Sequence, residues 1–122
     1  MPHLVLEHSD NLVEPLDHGA LFAALHAELE GFGLFRPEDI KSRTVAHARY
    51  RVGWGDPGDV FVHVTLSIMA GRPVEVRKAL GAAILGVVQR GLGRTWTERR
   101  CDVTVEVREM DRETYAKGVS RK

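Results

Sequence analysis

Apolar residues recur along this chain with two different periods, and the changes of period mark out its elements. Between Pro2 and His8 a short run rich in Leu and Val stops at the polar turn Ser9-Asp10-Asn11, which predicts a buried strand at the start of the chain. From Leu16 to Leu29 the spacing becomes helical, with Leu21, Leu25 and Leu29 in one row and Gly31 and Gly33 closing the segment. Ile40 to Val52 lacks turn residues and predicts a long strand with Arg43, Val45, His47, Arg49 and Arg51 on one face. Gly53 to Asp59 is a loop by composition, and Val60 to Ala70 is a second buried strand, with Val62, Val64, Leu66 and Ile68 facing one way.

Pro73 suits the first position of a helix, where its missing N–H is not needed. Val76, Leu80, Ile84, Val87, Val88 and Leu92 supply the apolar stripe of that helix. Gly81 and Gly86 each cost roughly 1 kcal/mol there relative to Ala, so a close neighbouring backbone is expected beside them. Val103, Val105 and Val107 alternate with Thr104, Glu106 and Arg108 in a last strand. The polar tail from Asp111 to Lys122 is expected to be loose or held by another subunit. The order strand, helix, strand occurs twice. The chain therefore reads as one α+β domain of duplicated β-α-β units, about 1–58 and 59–122, that form a four-stranded sheet with two helices on one face. The other face of such a sheet needs cover, which a trimer would supply.

Composition narrows the function classes. Seventeen basic and seventeen acidic side chains cancel, which removes the electrostatic footprint of a nucleic-acid or anionic-membrane binder. No apolar stretch reaches membrane length, and the one cysteine, Cys101, cannot form an intrachain disulfide. The first residues lack the basic and long apolar segments of a signal peptide, so the cytoplasm is the expected compartment. The six histidines show no i,i+4 ligand pair, His3 and His8 fall on opposite faces of their strand, and no metal site is expected. His63, within an apolar strand, reads as a hydrogen-bonded core residue. Cys101 reads as a small hydrophobe, and Trp54 and Trp96 as packing or interface residues. Gly91-Leu92-Gly93 lies at the wrong end of its helix to cradle a phosphate, so no nucleotide cofactor is expected.

Several segments taken together carry a family likeness. Met1-Pro2-His3, Ser9-Asp10-Asn11, Ile40-Lys41-Ser42-Arg43 and Phe61-Val62-His63-Val64-Thr65-Leu66 through Ala70-Gly71-Arg72 resemble the 5-carboxymethyl-2-hydroxymuconate delta-isomerases of the tautomerase superfamily. The resemblance implies a tautomerase (MIF-like) fold, a homotrimer and an isomerase that needs no cofactor. It also implies a small carboxylated substrate, in the degradation of homoprotocatechuate-type aromatic acids.

The chemistry of the residues is consistent with that likeness. Once Met1 is trimmed, Pro2 is a rigid secondary amine able to act as a base, whereas in a Met-Pro peptide bond the same atom is a non-basic amide. Arg72, between Gly71 and Pro73 at the mouth of a helix, suits a carboxylate, and its charge is expected to help keep the Pro2 amine neutral. Lys41 and Arg43 are the further anchors. Lys41 stands where the family usually has arginine, and a lysine neutralises a carboxylate without the bidentate fork. Two other readings remain open on the residues alone: a keto–enol tautomerase of another 2-oxo acid, and a non-catalytic trimeric interaction protein that keeps Met1.

Overall fold

The structure is a computed structural model of the chain, and residues 1–120 of it are described. Its elements follow the order β1 (His3–Ser9), α1 (His18–Glu30), a 3₁₀ turn (Pro37–Asp39), β2 (Lys41–His47), β3 (Val60–Met69), α2 (Val74–Gly91), α3 (Arg94–Glu98) and β4 (Cys101–Met110). The four strands form one sheet in the order β2-β1-β3-β4. β1 runs parallel to β2 and β3 parallel to β4, and the two pairs meet in the antiparallel contact of β1 with β3. Each parallel pair is joined by a helix, as a parallel connection requires. The sheet and its helices are those of the α+β arrangement read from the sequence. Among the described residues no helix is long and apolar enough to cross a membrane.

Alternation along the strands separates two faces. Leu4 and Leu6 of β1 and Val60, Val62, Val64, Leu66 and Ile68 of β3 are almost fully buried beneath the helices. Leu21, Leu25 and Leu29 of α1 and Leu80, Ile84, Val87 and Val88 of α2 complete the core, so the two helical stripes close over the same face of the sheet. Asp17 caps α1, its side chain accepting the Ala20 N–H at 3.1 Å. The opposite face is polar and uncovered in the single chain. On it His47 pairs with Glu7 at 2.9 Å, His63 Nδ1 meets the Thr104 hydroxyl at 2.7 Å, and Arg108 reaches Glu106 at 3.2 Å.

Five local expectations are corrected. β2 ends at His47, not Val52, because β1 ends opposite it at Ser9 and leaves no ladder for Ala48 onward. Arg49 and Arg51 therefore leave the strand face, and Arg51 donates instead to the carbonyls of Gly53 and Trp54. Pro73 is the residue before α2, in an extended conformation with ψ of 155°, rather than its first helical residue. A Cβ on Gly81 would meet a Val107 methyl and one on Gly86 the Arg90 guanidinium, so side chains and not backbone lie beside both glycines. His63 faces the polar side of the sheet rather than the core.

β3 is one of the two inner strands, paired with β1 on one side and β4 on the other, and its Leu66 is fully buried. Leu66→Ala is expected to lower stability by about 2–5 kcal/mol through lost burial and the cavity left behind. A urea unfolding midpoint that does not move would show that the β3 row is not the packed centre of the fold.

Candidate active site

The parallel register of β1 with β2 sets the site. His3 pairs with Lys41 and Val5 with Arg43, so the start of the chain lies beside the start of β2. The ladder extends one residue further, where the Lys41 N–H donates to the Pro2 carbonyl at 3.1 Å. Pro2 itself is buried, and the terminal amine of Met1 donates to the Asp39 carbonyl at 3.1 Å. With Met1 in place the Pro2 nitrogen is an amide without basic character, so the Met1 amine marks where the chain's one terminal amine comes to lie.

Around it stands a group of cations with few acceptors. Lys41 Nζ donates to the same Asp39 carbonyl at 2.9 Å, and Lys117 Nζ donates to the Asp39 carboxylate at 2.9 Å. Arg43 Nη1 lies 3.4 Å from His3 Nδ1, and His3 Nε2 lies 2.9 Å from the Tyr115 hydroxyl. Burial first, and then the Lys41 ammonium, hold the terminal amine below its ordinary value; Lys117 adds to this and Asp39 opposes it. Lys41 is the cation that acts most strongly on the Met1 amine of the untrimmed chain. Burial and then Arg43 and Lys41 likewise lower His3, while the hydrogen bond from Lys117 lowers the Asp39 carboxyl.

Arg72 makes its hydrogen bonds outside this network, although the antiparallel register that sets His3 opposite Ser67 brings the end of β3 to the same end of the sheet as Pro2. Gly71 before it has φ of 120°, a conformation that L side chains rarely adopt, so the chain turns sharply out of β3. Arg72 Nη2 then donates to the Leu34 carbonyl at 3.4 Å, on the connection that leads to the 3₁₀ turn, and its own carbonyl accepts from Arg77 Nε at 3.1 Å. Of the four residues picked from the sequence, the structure gathers Pro2, Lys41 and Arg43 at one end of the ladder. It anchors Arg72 to a neighbouring segment.

Sequence reasoning missed His3, Asp39, Tyr115 and Lys117. His3 was within reach, because strand alternation puts it on the face of Lys41 and Arg43. Tyr115 and Lys117 belong to the polar tail, which carries no period to read. Within the described residues the tail is tied to the chain's own His3 and Asp39 rather than loose, while Arg121 and Lys122 lie outside the described residues. Among the described residues no group of three or more His, Cys, Asp or Glu side chains is arranged to hold a metal ion. A pocket of about 360 Å³ lined by His8, Leu12, Leu16 and Thr44 opens at the far end of β1 and includes none of the expected site residues. Cys101 packs against the core, and burial raises its thiol, as befits a small hydrophobe. Trp54 is 95% exposed, so it is not a packing residue of the single chain's core.

Comparison with known proteins agrees with this fold. The family model for 5-carboxymethyl-2-hydroxymuconate isomerase matches residues 2–120. A 5-carboxymethyl-2-hydroxymuconate Delta-isomerase from Escherichia coli is 30% identical over 110 residues, which is 90% of this chain and 87% of the relative. The crystal structure of a 5-carboxymethyl-2-hydroxymuconate isomerase from Deinococcus radiodurans R1 superposes with a TM-score of 0.88 at 30% identity, covering 98% of this chain and 90% of that one. A structure described as a fused wild-type 4-OT symmetric trimer shares the fold with a TM-score of 0.75 at 23% identity, over 97% of this chain and 94% of that one. With the four-stranded sheet, the family match along almost its whole length and the relative in Escherichia coli, the chain belongs to the 5-carboxymethyl-2-hydroxymuconate isomerase family, a family of isomerases.

Proposed function

We propose that this chain isomerises 5-carboxymethyl-2-hydroxymuconate to its 2-oxo form, with the amine of a trimmed Pro2 as the base. The observation that carries the reading is the position of the terminal amine. In the untrimmed chain the Met1 amine is partly buried at the head of the β1–β2 ladder and held below its ordinary pKa by burial, Lys41 and Lys117, one residue from the Pro2 nitrogen. Such a place favours a neutral amine next to a bound polyanion. Neutral Pro2 takes the proton of the 2-hydroxyl group as the C2 carbonyl forms and the double bonds shift. The resulting prolinium returns that proton to the distant carbon of the dienolate. Arg72, Lys41 and Arg43 bind the substrate carboxylates and balance the charge that develops on the C2 oxygen.

The proposal includes a homotrimer working in the cytoplasm, in the breakdown of homoprotocatechuate-type aromatic acids. The uncovered polar face of the sheet supports the assembly, as does the symmetric trimer named for a relative of the same fold. Light scattering at micromolar concentration is expected to give three chains per particle, and a monomer would refute the assembly.

Removal of Arg72 or Lys41 should affect different quantities. Arg72→Ala is expected to raise KM and lower kcat/KM by roughly two to three orders of magnitude, the scale of a lost charge-assisted anchor. Lys41→Ala should in addition move the pH midpoint upward, because the cation that most disfavours the protonated amine is gone. An unchanged kcat/KM in Arg72→Ala would remove that residue from the site.

The base itself is tested by processing. Protein shown by intact mass to retain Met1 should have essentially no isomerase activity on 5-carboxymethyl-2-hydroxymuconate, while Pro2→Ala, which offers a primary amine in the same place, should keep a reduced fraction. In the trimmed enzyme kcat/KM should rise with pH, because the amine acts only when neutral. Its midpoint should lie below the ordinary α-amino value near 8 if burial and Lys41 disfavour the prolinium as they disfavour the charged Met1 amine of the untrimmed chain. If untrimmed protein turns over as fast as trimmed protein, the proline mechanism is wrong. Turnover of phenylpyruvate-type 2-oxo acids without turnover of the muconate would reassign the substrate.

A further inference from the structure

The tail residue Tyr115 has a hydrogen-bonding role that can be worked out from its neighbours. Arg43 has only donors, so His3 Nδ1, which faces it at 3.4 Å, must present its lone pair. A neutral imidazole then carries its single hydrogen on Nε2, and that hydrogen is donated to the Tyr115 hydroxyl oxygen at 2.9 Å. Burial and the neighbouring Arg43 and Lys41 charges keep the ring neutral. Tyr115 is therefore an acceptor toward His3, and its own hydroxyl hydrogen points elsewhere. Among the described residues no acceptor meets it.

The acceptors recorded in this network are engaged by cations. Asp39 is the nearby acceptor, and its carbonyl already receives the terminal amine and Lys41 Nζ while its carboxylate receives Lys117. What remains at this edge is a surplus of donors and positive charge. A hydroxyl that accepts from an N–H is polarised into a stronger donor. The half-buried ring is also fixed in place, since Tyr115 rests on His3 and Lys117 ties the tail to Asp39 two residues later.

We infer that the Tyr115 hydroxyl is a substrate-binding group, donating a hydrogen bond to a carboxylate oxygen of the polycarboxylate that occupies the site beside Pro2. The Arg43–His3–Tyr115 chain then orients this donor, and the C-terminal tail forms part of the binding site rather than a free end. The inference rests on the isomerase reading for the identity of the ligand.

The test uses the trimmed full-length protein, with adipate as a dicarboxylate binding probe and 5-carboxymethyl-2-hydroxymuconate as substrate. Tyr115→Phe keeps the ring and removes only the hydroxyl. It is expected to weaken adipate binding by calorimetry and to raise KM by about 10- to 100-fold, the scale of a hydrogen bond to a charged group. The pH midpoint of kcat/KM should stay where it is, since the base is untouched. Tyr115→Leu, which also removes the ring, should lose no more than Tyr115→Phe. Equal adipate affinity in the wild type and Tyr115→Phe, a loss confined to Tyr115→Leu, or a wild type that does not bind adipate would each overturn the assignment. Adipate binding that depends on the hydroxyl, in a protein that leaves the muconate unchanged, would instead overturn the isomerase reading and keep Tyr115 in the site.

Discussion

The parallel ladder between β1 and β2 is the interaction on which the rest of this structure depends. Parallel strands start at the same end of the sheet, so the first residues of the chain and the first residues of β2 are brought together by backbone hydrogen bonds alone. The bond from Lys41 N–H to the Pro2 carbonyl fixes the register. A slip of one residue would send Lys41 and Arg43 to the helix-covered face, where unpaired charges are costly to bury, so the hydrophobic pattern and the site chemistry select the same pairing.

That ladder needs a crossover, and the crossover explains the shape of the domain. α1 returns the chain over one face and α2 does the same for β3 and β4, so both helices seal one apolar layer and leave the other face polar. The uncovered face is studded with paired groups, Glu7 with His47 and Glu106 with Arg108. Exposed pairs of this kind contribute little to the stability of a single chain, while their mixed signs suit contact with another polar surface. The fold is thus stable through one face and free to use the other.

Much of this was legible in the sequence because burial imposes a period. β1, α1, β3, α2 and β4 each place an apolar residue every second position or every third to fourth, and all five were found. The far end of β2 was misread for a physical reason: Ala48 to Val52 has strand-like composition, but β1 ends first and leaves it no partner. Strand propensity cannot report where a neighbour stops. Pro2, Lys41 and Arg43 could be picked out because a terminal amine and nearby cations suggest chemistry by residue type. Tyr115 and Lys117 could not, since they reach the site through a tail without regular structure, and only the three-dimensional arrangement puts them beside His3 and Asp39.

The exchange of a fork for a point charge at position 41 shapes how this site can hold a substrate. Lys41 directs its ammonium to the Asp39 carbonyl, the same oxygen that receives the terminal amine, so it acts by keeping that amine neutral and by supplying positive potential. Planar recognition of a carboxylate then falls to guanidinium groups. Arg72 gives one long bond to Leu34, and Arg43 leans on His3 at a similarly long distance, so neither is committed to a strong carboxylate partner of its own. On the proposed mechanism Lys41 would tune the base, and the arginines would orient the anion. On that mechanism a lysine at this position would separate two tasks that one arginine would have to combine.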